Sequence, residues 1–472
     1  MEKYINRTIL SIFFTAILLI AVLTVARSLP NLAIFTFSII VLCVFYKLVK
    51  KEIIKINKKT IIIFIIIAFV LRLGLFLLNY DKPLMSDYLF FYENATQFMQ
   101  GQELNNRYIA TFPYLAPYVV ILGAFLRIFN SNNYLLVILF HMILDFSTAF
   151  FIYKITGNKD KKTGMLGALL WLINPINIIW NTICCPVVIV NFGIAIILYV
   201  FEKIRLEISK GINWKKFLIL NIIYGMTIGI FNSFRPIMII IVIATIMYYI
   251  YTILYKVKQK KIRILVIIGS MLILAMYILI NAVSNYGIGK LIKQEASTTP
   301  GWTLYLGSNI EYNGMWHEKA SGEYTQLFNN EEMSAEEIQQ YFNEKAIKQY
   351  KENGFKNIKL FFNKYKILTN NIVGYSYSNI NEVATINNNI LRLIRISSEI
   401  AICIIIVLNV YYCINLIKNI QIFENVILYL LVIIGLLASH MLVEVSPRYA
   451  LPLMPIITIV ATFGLSKITI KE

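Results

Sequence analysis

Asp87 is a carboxylate whose position suits acid–base chemistry. It stands shortly after the apolar run 60–79, so it is expected at the boundary between lipid and water. Aromatic and small residues follow it at helical spacing: Tyr88, Phe91, Tyr92 and Ala95. The pattern predicts an interfacial helix with the carboxylate at its N-terminal end, where Asp87 is either a helix cap beside Ser86 or an active-site group.

Other ionisable side chains lie within apolar runs. Arg72 is inside the run 60–79, where a charge faces a partner or a wet cavity unless its long side chain extends to the membrane surface. His141 and Asp145 are four residues apart, so they share one face of a helix. They form either a site or a structural hydrogen bond between helices.

Two further basic residues stand at the ends of apolar runs. Arg235 precedes a proline between two runs, and its planar guanidinium matches phosphate oxygens, although a loop charge would also suit the position. Near the C-terminus His440 and Glu444 are again four residues apart, and Arg448 opens the last run. These three are expected at the outer interface, on the same side as Asp87.

The stretch 301–317 combines glycines, aromatic residues and amides. Aromatic faces and amide groups match sugar rings and hydroxyls, so the stretch suits a sugar or glycolipid site. Its candidate residues are Trp302, Asn309, Trp316 and His317. Glu311 and His317 supply only two ligands at loose spacing, so a metal site has weak support.

Composition indicates the class of the protein. The 472 residues are 58% hydrophobic and 15% charged, with a mean hydropathy of +0.68, and a soluble protein of this size would expose too much apolar surface. Apolar runs long enough to approach the span of a ~30 Å hydrocarbon core recur along the chain. They predict an all-α polytopic protein of about 12–13 transmembrane helices, at 9–26, 32–49, 60–79, 113–129, 134–153, 164–180, 186–202, 217–234, 236–254, 264–281, 396–417, 425–442 and 450–466.

The net charge of +19 reflects membrane topology rather than nucleic-acid binding, because lysine and arginine gather in short loops between apolar runs. These basic stretches, expected on the cytoplasmic side, are Lys47–Lys59, Lys154–Lys162, Lys203–Lys216, Tyr255–Arg263 and Lys467–Lys471. Thirteen crossings would nevertheless put the two termini on opposite sides. Either the segment 113–129, broken at Pro113 and Pro117, re-enters without crossing, or the basic loop 154–162 lies outside.

The chain divides into four parts. Residues 1–59 form an N-terminal two-helix addition, 60–281 a transmembrane core with the outer loop 80–112, 282–390 an extracytoplasmic segment, and 391–472 a C-terminal three-helix region. The outer segment carries a helix that starts at a capping box of Ser334 and Glu337 and stops at Asn353-Gly354. An amphipathic stretch follows at 355–365 and is expected on the membrane surface.

Taken together, these motifs resemble the membrane glycosyltransferases of the GT-C fold, which use polyprenyl-phosphate sugars and include protein O-mannosyltransferases and lipid A aminoarabinose transferases. The resemblance covers most of the chain. The stretches that carry it are Arg72…Ser86-Asp87…Tyr92…Ala95, Gly225…Gly229…Arg235-Pro236, Gly307…Asn309…Gly314…Trp316 and His440…Glu444…Arg448-Tyr449…Pro452…Pro455. One departure is Thr111-Phe112-Pro113-Tyr114, which lacks the histidine that many relatives have after the first outer loop.

The resemblance implies an inverting sugar transfer to an acceptor hydroxyl at the outer face of the cytoplasmic membrane, with Asp87 as general base. Arg448, Arg235 and Arg72 would bind the donor phosphate. Tyr92, Trp302, Asn309, Trp316 and His317 would contact the sugar or acceptor, and Glu93, Asp145, His440 and Glu444 would support the site. The partners implied are a polyprenyl-phosphate sugar, a lipid, protein or wall-polymer acceptor and membrane lipids. No cofactor is implied with certainty, and a divalent metal has weak support.

Three alternatives remain open from the sequence. A flippase or transporter for lipid-linked glycans would also need many helices and intramembrane charges, but not a sizeable outer segment beside an acidic interfacial loop. An O-antigen-ligase-like or polymerase-like enzyme would also use lipid-linked sugars. A non-enzymatic scaffold fits less well, because Arg72 and Asp145 lie within apolar runs.

Overall fold

In a computed structural model of the chain, the described residues are 2–26, 29–51, 55–78, 84–104, 106–158, 160–330, 332–370, 372–381, 388–418 and 426–469. Residues 80–83 of the outer loop and 470–472 of the basic tail lie outside them. All regular elements of the described ranges are helices. Short 3-10 helices occupy Pro113–Leu115 and Pro447–Leu453. The α-helices are α1 Glu2–Ala26, α2 Leu29–Lys50, α3 Lys58–Leu78, α4 Ser86–Met99, α5 Arg107–Thr111, α6 Ala116–Phe129, α7 Tyr134–Thr156, α8 Lys161–Leu172, α9 Pro175–Asn181, α10 Val187–Lys210, α11 Trp214–Asn232, α12 Ile239–Tyr255, α13 Lys260–Ile292, α14 Gly301–Ser308, α15 Glu318–Asn329, α16 Ala335–Asn353, α17 Lys356–Asn370, α18 Ile372–Asn381, α19 Asn388–Lys418, α20 Ile427–Leu442 and α21 Met454–Thr469.

Nine helical segments in the described ranges are long and apolar enough to cross a membrane, which confirms a multi-pass membrane protein. A tenth is added if α8 and α9, which are bent by 57° at their junction, form one broken span. The remaining predicted spans are shorter apolar helices, at Pro113–Phe129, Ile239–Tyr255 and Ile427–Leu442. Each apolar run predicted from the sequence therefore coincides with an apolar helix, but several of these helices are short or bent.

Segment 113–129 starts and finishes at the same end of the helix bundle. Tyr114, near the start of the segment, lines a large cavity. Tyr92 lines the same cavity, and its hydroxyl donates to the Asn132 carbonyl, in the loop that follows the segment. α6 lies along α4, where a Cβ on Gly123 would come 2.6 Å from the Ala95 carbonyl oxygen. This arrangement agrees with the first of the two topological alternatives, a segment that returns without crossing.

The two described termini and the loop after α7 lie at the opposite end of the bundle. Tyr251, near the end of α12, bonds to Glu2 and Asn6 at the start of α1. A Cβ on Gly167 would lie 2.7 Å from Thr156 Oγ1, at the end of α7, and 3.2 Å from Thr462 Oγ1, midway along α21. Residues 443–449, just before α21, line the cavity, so α21 runs away from the cavity toward the opposite end. The basic loop 154–162 and the basic tail therefore lie at the same end of the bundle. Both can face the cytoplasm, so the topological conflict between them is removed.

A buried ion pair connects three helices where α8 breaks before Pro175. Proline cannot continue the hydrogen-bond pattern of a helix, so carbonyl groups near the break need other donors. Arg72 Nη1 donates to the Leu172 carbonyl at 3.1 Å, and Arg72 Nη2 lies 2.6 Å from Asp145 Oδ2. Trp171 Nε1 donates to Asp145 Oδ1 at 2.8 Å. Arg72 therefore has the intramembrane partner that its depth required.

Glycines allow α11 and α13 to pack at close range. A Cβ on Gly225 would lie 2.7 Å from the Ile273 carbonyl oxygen, and one on Gly229 would lie 2.7 Å from Ile280 Cβ. Small residues four apart on one helix face permit such approach between membrane helices. Gly225 and Gly229 therefore allow close packing between the two helices. This packing positions α11, which ends just before Arg235.

The outer segment is a helical layer over one end of the bundle. The capping box at Ser334 and Glu337 is confirmed, and Gly354 follows the helix with a φ of 52°. α14 packs closely on α16, since a Cβ on Gly301 would lie 1.7 Å from the Gln339 carbonyl oxygen. Gln339 also bonds to the Trp302 amide and the Thr111 carbonyl, so it joins the layer to α5.

Candidate functional site

A cavity of about 1600 Å³ lies between the membrane helices and the outer helical layer. Its lining comes from the start of α4, the break between α11 and α12, the upper part of α13, the outer helices and the loop after α20. The charged side chains in the described lining are Asp87, Arg235, Glu444 and Arg448. Charged residues from three distant parts of the sequence thus meet in one place.

Asp87 forms an ion pair with Arg448 inside this cavity. Both Nη1 and Nη2 of Arg448 donate to the same carboxylate oxygen, Asp87 Oδ2, at 3.1 Å. The side chains are 39% and 27% exposed, so solvent in the cavity reaches both. Met85 holds the cap position of α4, and Ser86 adopts a φ of 51° just before the carboxylate. The contact that Asp87 makes is with Arg448 rather than with the end of its own helix.

Prolines explain how Arg448 is presented to the cavity. Pro447, Pro452 and Pro455 lack the backbone N–H groups that a continuous α-helix needs. The chain consequently winds as a 3-10 helix over Pro447–Leu453 before α21 begins. Seven residues is long for this tighter helix. It holds Arg448 at the cavity end of the last span.

Tyr449 connects both arginines to a second carboxylate. Its ring centroid is 4.4 Å from Arg235 Cζ and 5.7 Å from Arg448 Cζ, and cations at such distances are attracted by an aromatic face. The Tyr449 hydroxyl donates to Glu444 Oε2 at 3.1 Å. Burial raises the pKa of Glu444, although Arg448 opposes this shift. The cavity thus groups two carboxylates, Asp87 and Glu444, with two cations, Arg235 and Arg448.

The chain break before Pro236 brings Arg235 into this group. A residue that precedes proline is disfavoured in a helix, so α11 ends at Asn232 and α12 resumes at Ile239. Asn232 joins the two helices, because its Oδ1 accepts from the Met238 amide at 3.2 Å. Arg235 lies in the short connection, which faces the cavity.

Lys364 on α17 fixes the loop that carries Glu444. Its Nζ donates to the carbonyls of Gly307 at 3.0 Å and Met441 at 2.7 Å, and its side chain is fully buried. The loop is also paired with the outer layer through the amides of Glu444 and Val445, which donate to Thr303 and Gly314. Burial lowers the pKa of Lys364 to about 7, although Glu444 favours the charged form. A neutral amine keeps two N–H donors, the number that the two carbonyls require.

We expect the stability of this protein to rise with pH through Lys364. The folded-state pKa is about 7 and the ordinary value is 10.5, so between these values the unfolded chain holds a proton that the folded chain does not. The free energy of unfolding then increases with pH by at most about 1.4 kcal/mol per unit in that window. Lys364→Met removes this contribution. Unfolding in detergent at pH 7, 8, 9 and 10 gives the difference between wild type and variant, and a difference that is constant with pH would contradict the shift.

The predicted sugar-binding residues divide into two groups. Tyr92, Trp302 and Trp316 line the cavity. Asn309 and His317 are not part of that lining: the His317 ring stacks on Tyr312 at 4.0 Å and its Nδ1 accepts from the Ala320 amide at the start of α15. The last two therefore shape the outer layer instead of facing the cavity.

The supporting and phosphate-binding candidates also divide. His440 and Glu444 line the cavity, whereas Glu93 is exposed and lies apart from the lining. Arg72 and Asp145 pair with each other inside the bundle and are not part of the lining. Within the described ranges, no three His, Cys, Asp or Glu side chains are grouped so that they could hold a metal ion.

Sequence reasoning missed several residues of the site. Tyr449 was visible only as part of a motif, and Lys364 lies in the amphipathic stretch 355–365, which was expected on the membrane surface. Asn281 and Asn285 extend the lining from α13, which continues to Ile292, well past the predicted end of its run at residue 281. The signal available in the sequence was the presence of these polar residues in the last turns of an otherwise apolar helix.

Comparison with known proteins adds no family to this description. The chain matches no protein-family model, and it matches no curated protein.

Proposed function

We propose that this chain is a GT-C-like glycosyltransferase of the cytoplasmic membrane. It transfers a sugar from a polyprenyl-phosphate donor to an acceptor hydroxyl on the extracytoplasmic face, with inversion at the anomeric carbon. The observation that carries the proposal is the Asp87–Arg448 pair, held with Arg235 in a cavity between membrane spans and an outer helical layer. A base next to two phosphate-binding groups is what this reaction requires.

In this mechanism the donor phosphate competes with Asp87 for Arg448. Guanidinium groups bind phosphate oxygens in a planar, bidentate fashion. Arg235 and Arg448 both lie against the ring of Tyr449, so one phosphate group could contact both. Binding of the donor releases the Asp87 carboxylate from its partner. Asp87 then takes the proton of the acceptor hydroxyl, that oxygen attacks the anomeric carbon, and the bond to the lipid phosphate breaks with its electrons on the phosphate oxygen.

The apolar part of the cavity wall supports a lipid-linked donor. Met85, at the cap position before α4, and Leu89 on α4 line the cavity next to Asp87, and both are exposed. Phe76 on α3 and Tyr134 on α7 continue the same wall and stack with ring centroids 6.2 Å apart. A polyprenyl chain would contact this wall while its phosphate reaches the arginines.

Arg448→Gln and Arg235→Gln test the proposed phosphate contacts. Loss of one charge that stabilises the leaving group is expected to lower sugar transfer by about 10²–10³-fold, with the larger effect at Arg448 because it contacts the base directly. The assay measures release of radiolabelled sugar from polyprenyl phosphate by purified protein. Arg127→Gln, at the exposed end of α6 and outside the cavity lining, is the matched control. Folded Arg448→Gln with wild-type rates would remove the arginine from this role.

A further inference from the structure

One wall of the cavity carries neutral polar side chains. It is formed by the end of α13, the loop before α14 and one face of α15. We define this polar wall by Asn281, Asn285, Ser297, Thr299, Ser321 and Thr325. The charged side chains of the described lining stand elsewhere, at the start of α4, the α11–α12 break and the loop after α20. These six lining residues carry no charge, and Asn281 meets the charged part of the lining where its Oδ1 accepts a hydrogen bond from Asn232 at 2.7 Å.

A fixed carboxylate stands directly behind the polar wall. Glu336 on α16 accepts hydrogen bonds from Ser297 Oγ and the Thr298 amide, both at 2.8 Å, and from the Thr299 hydroxyl. Burial alone would raise the pKa of Glu336, but these hydrogen bonds outweigh it and lower the pKa to about 2. The wall thus has a negative charge behind it at every physiological pH, and that charge opposes a second anion in this part of the cavity.

Aromatic faces line the same cavity. Trp316 lines the cavity and is 54% exposed, which is unusual for the largest side chain in a protein. Trp302 and Tyr324 also line the cavity, with ring centroids 5.0 Å apart. Hydroxyl and amide groups next to open aromatic rings match the hydroxyls and apolar ring faces of a sugar.

We propose that the polar wall binds a neutral carbohydrate acceptor and that Glu336 excludes anionic polymers from it. The inference rests on the proposed glycosyltransferase function and adds the chemical class of the acceptor. The proposal assigns the donor phosphate to Arg235 and Arg448 and an uncharged glycan to the polar wall. Polymers with phosphate in their backbone would have to place that charge next to Glu336.

Acceptor competition in proteoliposomes tests the inference. The donor is a radiolabelled polyprenyl-phosphate sugar, and the acceptors are an uncharged oligosaccharide fraction from cell walls, poly(glycerol phosphate) and a serine- and threonine-rich peptide. Wild type is expected to label the oligosaccharide, and Glu336→Gln is expected to reduce its discrimination against poly(glycerol phosphate) by about tenfold. That change corresponds to one unit charge about 10 Å away at an effective dielectric constant of about 20. Glu344→Gln, an exposed position on the same helix, is the matched control and leaves the ratio unchanged.

A binding measurement gives a readout that does not depend on turnover. The same oligosaccharides are expected to quench tryptophan fluorescence of the wild type, and Trp316→Leu is expected to weaken their binding by about tenfold. Label on poly(glycerol phosphate) or peptide in the wild type would overturn this inference but leave the glycosyltransferase in place. An unchanged acceptor ratio in folded Glu336→Gln would also overturn it. Failure to release sugar from any donor, even to water, would instead contradict the proposed function.

Discussion

Asp87→Asn is expected to lower the turnover of sugar transfer by about 10²–10⁴-fold, the range for loss of a positioned general base. Asparagine has nearly the same shape as aspartate but cannot accept the acceptor proton at neutral pH. In the structure Asp87 Oδ2 also accepts hydrogen bonds from both Nη atoms of Arg448. The variant therefore frees Arg448 for the donor phosphate, so donor affinity should be unchanged or tighter while kcat falls.

This separation of kcat from affinity distinguishes a base from a structural residue. Initial rates at varied donor concentration give kcat and KM, and binding of the donor to the variant gives the affinity independently. Glu93→Gln is the matched control, since Glu93 is an exposed carboxylate on the same helix and lies outside the cavity lining. A folded Asp87→Asn protein with the turnover of wild type would move the base elsewhere, with Glu444 the next carboxylate in the cavity.

Asp145→Leu is expected to destabilise the protein by about 3–5 kcal/mol, because it leaves a buried guanidinium without its counter-charge. Arg72 is fully buried, and its carboxylate partner is 3% exposed. The loss also removes the acceptor for Trp171 Nε1. Adding Arg72→Met to the same chain removes the uncompensated charge, so the double variant should recover much of the lost stability.

Thermal unfolding in detergent, followed by size-exclusion chromatography, measures this effect. The control is the exposed pair of Lys348 and Glu352, whose side chains are 77% and 62% exposed. Glu352→Gln should change stability by less than about 0.5 kcal/mol, as is usual for solvent-exposed ion pairs. If the double variant were no more stable than the Asp145→Leu variant, the buried charge would not be the cause of the loss.

Local sequence patterns predicted the helices well because those patterns act within one element. In the described ranges, apolar runs located the apolar helices of ten or more residues, and the Ser334–Glu337 capping box was confirmed. The 57° bend between α8 and α9 was missed, although Pro175 was visible inside the run 164–180. Hydropathy alone did not distinguish a straight span from a broken one. It also did not show that segment 113–129, which contains α6, starts and finishes at the same end of the bundle.

Contacts between distant segments were beyond what the sequence could predict. Arg72 was expected to face a partner or a wet cavity, and Asp145 to form a site or a structural hydrogen bond between helices. Their pairing across 73 positions follows only from the packing of α3 on α7 and α8. His317 lacked any pattern to show that its ring would cap α15 and stack on Tyr312. Lys364 belongs to a lysine-rich amphipathic helix, so only the fold identifies it as the buried one.

Reconstituted protein with a polyprenyl-phosphate sugar labelled in the sugar tests the central claim most directly. The measurement follows whether the label leaves the lipid, and whether the lipid-linked sugar crosses the vesicle membrane. We expect the label to appear in a new product with inverted anomeric configuration, with wild type and not with Asp87→Asn, and without net movement of intact donor. Movement of intact lipid-linked sugar across the membrane, with no label released by wild type, would contradict the enzyme and favour a flippase.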